Sequence, residues 1–93
     1  MKYDYDNISN TEIINVINEY IHSERDRIIL TLNFVNNYTY QQISDYLYSL
    51  DMENRTKGLF TNYYLSAKQI GRIIAKREHI VFKHLKGDNN NEA

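Results

Sequence analysis

The chain has 93 residues, no cysteine and no proline, and 11 basic against 12 acidic side chains. That length supports one small domain, and the missing cysteine excludes disulfide scaffolds, zinc–thiolate sites and thiol catalysis. No apolar run approaches the roughly 18–20 residues of a membrane helix, and the polar, acidic start Met1-Lys2-Tyr3-Asp4-Tyr5-Asp6 is unlike a signal peptide, so a cytoplasmic protein without membrane partners is expected.

Without proline, the strongest helix breaker, every segment is permitted to be helical. Residues 1–8 read as a flexible lead. Ser9 and Glu12 stand at capping-box spacing. Ile13, Ile14, Ile17, Tyr20 and Ile21 then draw one helical face, which predicts a first helix over residues 10–21. Ser23 caps a second helix, with Glu24 and Asp26 in its first turn where carboxylates meet the positive end of the dipole. Its buried stripe is expected at Ile28, Ile29, Leu32 and Val35, with Leu30 and Phe34 to one side, and it reads as the central helix. Asn36-Asn37 ends it.

Thr39 and Gln42 form the next capping box, and Tyr40, Ile43, Leu47 and Leu50 make a two-turn seam with Tyr40 in the core. From Asp51 to Tyr64 the periodicity fades around Gly58 and a polar run, which predicts a long loop with room for an extra helical turn. Ser66 with Gln69 opens a fourth helix over residues 67–86, whose inner face follows Ile70, Ile73, Ile74, Arg77, Val81 and Leu85, with Ile80 and His84 beside it. Gly87 is the expected stop and residues 88–93 the expected disordered tail. No strand-like alternation occurs. The fold class is therefore all-α: a compact four-helix domain over residues 9–87.

The near-neutral total conceals a split. Residues 1–53 carry three basic and nine acidic side chains, a balance of −6; residues 54–93 carry eight and three, a balance of +5. Such asymmetry suits a basic surface for a polyanion, or two halves that neutralise each other on folding. The fourth helix concentrates the positive part. Gln69, Arg72, Lys76, His79, Lys83 and Lys86 follow at steps of three and four, all hydrogen-bond donors and none acidic. An apolar stripe on one side and a donor stripe on the other is what a helix needs to dock on a core and face phosphates.

A short capped helix followed by a long basic one suggests a helix-turn-helix, whose second helix enters the major groove of double-stranded DNA. Ser66, Lys68, Gln69 and Arg72 are the expected base-side residues, since Gln matches adenine in two places and Arg or Lys matches guanine. Lys76, Lys83 and Arg55 are expected at phosphates.

Three stretches together resemble region four of bacterial RNA polymerase sigma factors: Glu24-Arg25-Asp26-Arg27-Ile28-Ile29-Leu30, Thr39-Tyr40-Gln41-Gln42-Ile43-Ser44, and Leu65 to Lys76 with Ile70, Ile73, Ala75 and Lys76. The resemblance covers residues 22–86. It implies a support helix starting at Thr39 and a recognition helix starting at Ser66, in a standalone transcriptional regulator of the phage or mobile-element type. Two departures stand out. Ser49 to Tyr64 intervene where the family has a short turn. Ala67 and Lys68 stand where it often has arginine and glutamate, which implies a different base preference.

Tyr38, Tyr40, Tyr46, Tyr48, Tyr63 and Tyr64 gather around the third helix and the insertion, with packing their more ordinary role. Phe60, Tyr63 and Tyr64 are the candidates for a protein interface. His22, His79 and His84 lack metal-ligand spacing, and Gly58, Gly71 and Gly87 form no phosphate loop, so neither an enzyme nor a cofactor is expected. The alternative function is a non-enzymatic protein-binding module. Phage inhibitors of host machinery, such as anti-CRISPR or RNA polymerase-binding proteins, are of this size, and homodimerisation through the insertion or through the first helix is a further expectation.

Overall fold

The computed structural model describes the backbone of residues 8–90 and the side chains of residues 8–85. Four helices follow in order: α1 (Asn10–Tyr20), α2 (Glu24–Phe34), α3 (Tyr40–Thr56) and α4 (Ala67–Asn90). No strand occurs among the described residues. Helices α2 and α4 each pack on all three others, whereas α1 and α3 do not meet. The central position expected of α2 is thus shared with α4.

Local chemistry sets the helix starts. Ser9 and Glu12 close a reciprocal capping box on α1, and Thr39 and Gln42 do so on α3. Ser23 Oγ accepts the Asp26 amide at the start of α2. Each cap satisfies amides that the helix itself leaves orphaned, for about 1 kcal/mol. At the far end of α1, Arg27 Nη1 donates to the carbonyls of Ile21 and His22 at 2.8 and 2.9 Å. The side chain of α2 thereby closes the corner between the first two helices. Asn37 takes the left-handed conformation, φ 60°, in the turn that ends α2, a geometry asparagine tolerates better than most residues.

The core is Ile13, Ile17 and Ile21 of the first helix and its cap, Ile29 and Leu30 of α2, Ile43 and Leu47 of α3, and Ile70, Ile74, Val81 and Phe82 of α4. Each such side chain contributes about 1.5–3 kcal/mol on burial. Phe82, which the apolar row of α4 does not include, is fully buried and meets Phe34 edge-on at 5.5 Å. His84 stacks on Tyr20 at 3.5 Å and ties α4 to α1.

The structure corrects several boundaries and rotations. Ile8 packs on the core, so the domain begins before Ser9; residues 1–7 of the expected lead lie outside the described residues. Helix α2 is rotated from its expected stripe: Ile29 and Leu30 are fully buried while Ile28, Leu32 and Val35 are half-buried. The buried row runs through Asp26, Ile29 and Leu30, so it includes a carboxylate that an apolar stripe cannot show. Tyr40 is 44% exposed, not core. Its ring lies over Gly71, where an added Cβ would stand 3.0 Å from Tyr40 Cε2. Helix α4 continues through Gly87 to Asn90, so the expected stop and the first part of the expected tail are helical; residues 91–93 lie outside the described residues.

Helix α3 continues past Leu50 to Thr56, so the extra turn allowed in the 51–64 segment is present as a direct extension of α3. It closes on Gly58 at φ 81°. The Gly58 amide donates to the Arg55 carbonyl at 3.1 Å and the Leu59 amide to the Asn54 carbonyl at 2.9 Å. This is the two-bond C-terminal closure that favours glycine at the left-handed position.

Candidate nucleic-acid interface

The connection from α3 to α4 determines where α4 begins. After Gly58 the chain turns back and retraces α3, fastened to it at Asn54, Asp51 and Ser44. Asn54 Nδ2 donates to Thr61 Oγ1 at 3.2 Å, and Thr61 Oγ1 donates to Asp51 Oδ1 at 2.6 Å. The amides of Tyr63 and Tyr64 donate to the Asp51 carboxylate at 2.8–3.0 Å. Further up α3, Ser44 Oγ donates to the Leu65 carbonyl at 2.7 Å. The start of α4 is thus returned to the first half of α3, beside Ser44 and Tyr40, despite the intervening residues.

Asp51 is the central clasp. Burial pushes its carboxyl pKa up, but the Thr61 hydroxyl, the Tyr63 and Tyr64 amides and the nearby Arg55 charge outweigh that and hold it below the ordinary 3.8. Tyr63 carries a second fastening. Its hydroxyl donates to Glu24 Oε1 at 2.9 Å, and this bond, with burial, raises its pKa above the ordinary value. Tyr63 is therefore half-buried and engaged, whereas Tyr64 and Phe60 are 48% and 83% exposed. Of the three aromatics expected at a protein interface, two present open surface.

At the head of α4, Ser66 and Gln69 form the third capping box. Gln69 Oε1 accepts from the Ser66 amide at 3.0 Å and from its hydroxyl at 3.2 Å, and Ser66 Oγ accepts the Gln69 amide at 3.3 Å. A two-point contact to adenine needs both the oxygen and the amino group of Gln69. The cap already takes the oxygen, so only the amino group is open. The Ser66 hydroxyl is likewise engaged.

The donor stripe lies on the outside of α4. Lys68, Gln69, Arg72, Lys76, His79 and Lys83 are all exposed. None of the four cations pairs with a carboxylate among the described residues. The side chain of Lys86 lies outside those described. Arg55 is exposed in the last turn of α3.

Arg77, on the opposite side of α4, turns inward. Its Nε donates to Asp26 Oδ2 at 3.2 Å, and Arg25 Nε meets Asp26 Oδ1 at 3.3 Å. The Glu24-Arg25-Asp26-Arg27 quartet is therefore used inside the fold. Glu24 holds the connector, Asp26 holds α4 and Arg27 holds the end of α1.

The chain matches no family model, no curated protein and no solved structure. Among the described residues no three His, Asp or Glu side chains gather as a metal site, and no helix is long and apolar enough to cross a membrane.

Asp51, Ser44 and the Asp26–Arg77 pair were not singled out from sequence. Asp26 and Arg77 are 51 positions apart, and nothing local joins them. A signal for Asp51 does exist: Ser44, Leu47 and Asp51 continue the row on which Ile43 and Leu47 are buried, and Gly58 supplies the C-terminal stop.

Proposed function

We propose that this protein is a cytoplasmic, double-stranded DNA-binding transcriptional regulator whose α3–α4 pair works as an elaborated helix-turn-helix of the sigma region-four kind. The observation that carries this reading is the exposed stripe of Arg72, Lys76, His79 and Lys83, free of carboxylate partners among the described residues. From residue 69 to residue 83 it extends about 20 Å at the α-helical rise, long enough to follow several phosphates of a duplex.

The insertion is compatible with groove docking. Extra residues go into lengthening α3 and into the returning connector, which restores the start of α4 to Ser44. Base reading falls to Arg72 and Lys68, because Ser66 and the Gln69 oxygen serve the cap. Lys76 and Lys83 serve phosphates, with Arg55 a further phosphate contact.

Fluorescence anisotropy of labelled duplexes at low salt tests the reading. Wild type is expected to bind, and Arg72→Ala with Lys76→Ala to weaken binding by about tenfold or more. Absence of wild-type binding to any duplex at low salt contradicts it.

A further inference from the structure

We propose that the outer face of α3 is a two-fold dimer interface, on which a second copy of this chain lays its own α3 antiparallel. The inference uses none of the α4 stripe; in the dimer Arg55 meets the partner copy instead of a phosphate, and Lys76 and Lys83 keep the phosphate role. Gln41, Asp45, Tyr48, Met52 and Arg55 follow at steps of four, three, four and three, and all are exposed. That is the spacing of a seam between two helices. The five residues line one groove of about 590 Å³, whose other wall is the returning connector at Thr61, Asn62 and Tyr64.

The row has a polar order and an apolar centre. Asp45 and Arg55 flank its centre, about 15 Å apart along the axis, with Gln41 one turn beyond Asp45. Between them Tyr48 and Met52 are 56% and 41% exposed. Tyr64 stands edge-on to Tyr48 with ring centroids 6.0 Å apart and widens the apolar centre. Asp45 accepts only from Gln41 of its own helix, and Arg55, whose charge favours the Asp51 carboxylate one turn back, makes no ion pair within 4 Å among the described residues.

This order complements itself only when reversed. A two-fold axis midway between Tyr48 and Met52 sets Tyr48 over the partner's Met52. It sets Asp45 against the partner's Arg55, and Arg55 against the partner's Asp45. A parallel arrangement would oppose like charges at both ends. The antiparallel one is isologous, so every contact occurs twice. Clasping of the connector by Asp51 keeps Tyr64 and the groove wall in place before association, which lowers the ordering cost of binding.

Sedimentation equilibrium of the full chain across a concentration series tests the proposal. Wild type is expected to dimerise. Met52→Lys sets an ammonium in the apolar centre twice per dimer and is expected to leave a monomer. Asp45→Arg and Arg55→Asp are each expected to weaken the dimer by about tenfold, from two modest surface contacts apiece. Mixing those two variants is expected to restore association to within about threefold of wild type, since the reversed charges then meet their opposites. Circular dichroism melting shows that each variant remains folded. A wild type that stays monomeric at every concentration overturns the proposal. So does a dimer indifferent to Met52→Lys, or one that mixing does not restore. Because the measurement contains no nucleic acid, its failure leaves the DNA-binding reading untouched.

Discussion

Arg77 and Arg72 lie on opposite sides of α4 and meet opposite surroundings. Arg77 reaches inward to Asp26, whose side chain is only 3% exposed, and joins the acidic half of the chain to the basic half. Arg72, with Lys76 and Lys83, faces outward with no carboxylate partner among the described residues. Opposite charges of the two halves therefore meet at one buried carboxylate, Asp26, while the outer cations of α4 stay open. The buried row Ile70, Ile74, Val81 and Phe82 docks α4 on the core, Arg77 meets Asp26 on that inward side, and the other cations lie on the side away from it.

The sharpest way to break the comparison is to remove the inward arginine. Arg77→Met leaves Asp26 buried with Arg25 alone and is expected to cost about 3 kcal/mol in urea unfolding, the low end for breaking a buried pair, because Arg77 itself is a third exposed. The connector comes next. Asp51→Asn keeps the size but presents an amino group where three donors converge, and is expected to cost about 2 kcal/mol at neutral pH. The same residue gives a pH signature. A carboxylate whose folded pKa is depressed contributes stability above its unfolded value and loses it as pH falls through the folded one. Wild type should therefore lose stability as pH drops below the ordinary 3.8, and Asp51→Asn should lack that part of the acid slope in parallel urea titrations.

Gly71→Ala is a smaller test. The added methyl stands 3.0 Å from Cε2 and 3.2 Å from Cδ2 of the exposed Tyr40 ring, which tilts outward by a few tenths of an ångström, while the helix gains about 0.8–1 kcal/mol of intrinsic propensity. A modest rise in melting temperature is expected. The outward pair, Arg72→Ala with Lys76→Ala, should change stability least, by no more than about 0.5 kcal/mol. Equal destabilisation by the inward and outward substitutions would dissolve the distinction between the two faces.

Much of this architecture was legible in the residues, and the exceptions share a cause. Capping boxes at Ser9, Thr39 and Ser66 are local in sequence and announced three helix starts directly. The outward stripe was legible because donors at steps of three and four can only share one side of a helix. Helix α3 was cut short at Leu50 because its buried row continues with Asp51 rather than an apolar residue, and hydrophobic periodicity is blind to a carboxylate satisfied by a distant connector. The rotation of α2 was missed for the same reason at Asp26. Its partner Arg77 is distant in sequence, and an arginine on an apolar row looks the same whether it meets phosphate or aspartate. At the proposed interface with DNA, spacing marked Gln69 as a base reader, but the capping box that spacing also marks takes its oxygen.

The outward face of α4 is proposed to engage a polyanion. Duplex binding measured across a series of salt concentrations tests it most directly. The account predicts that log affinity falls linearly with log salt, and that Arg72→Ala with Lys76→Ala makes the slope shallower by about 1–2 units. A slope unchanged by that pair of substitutions, with the protein folded, would contradict it.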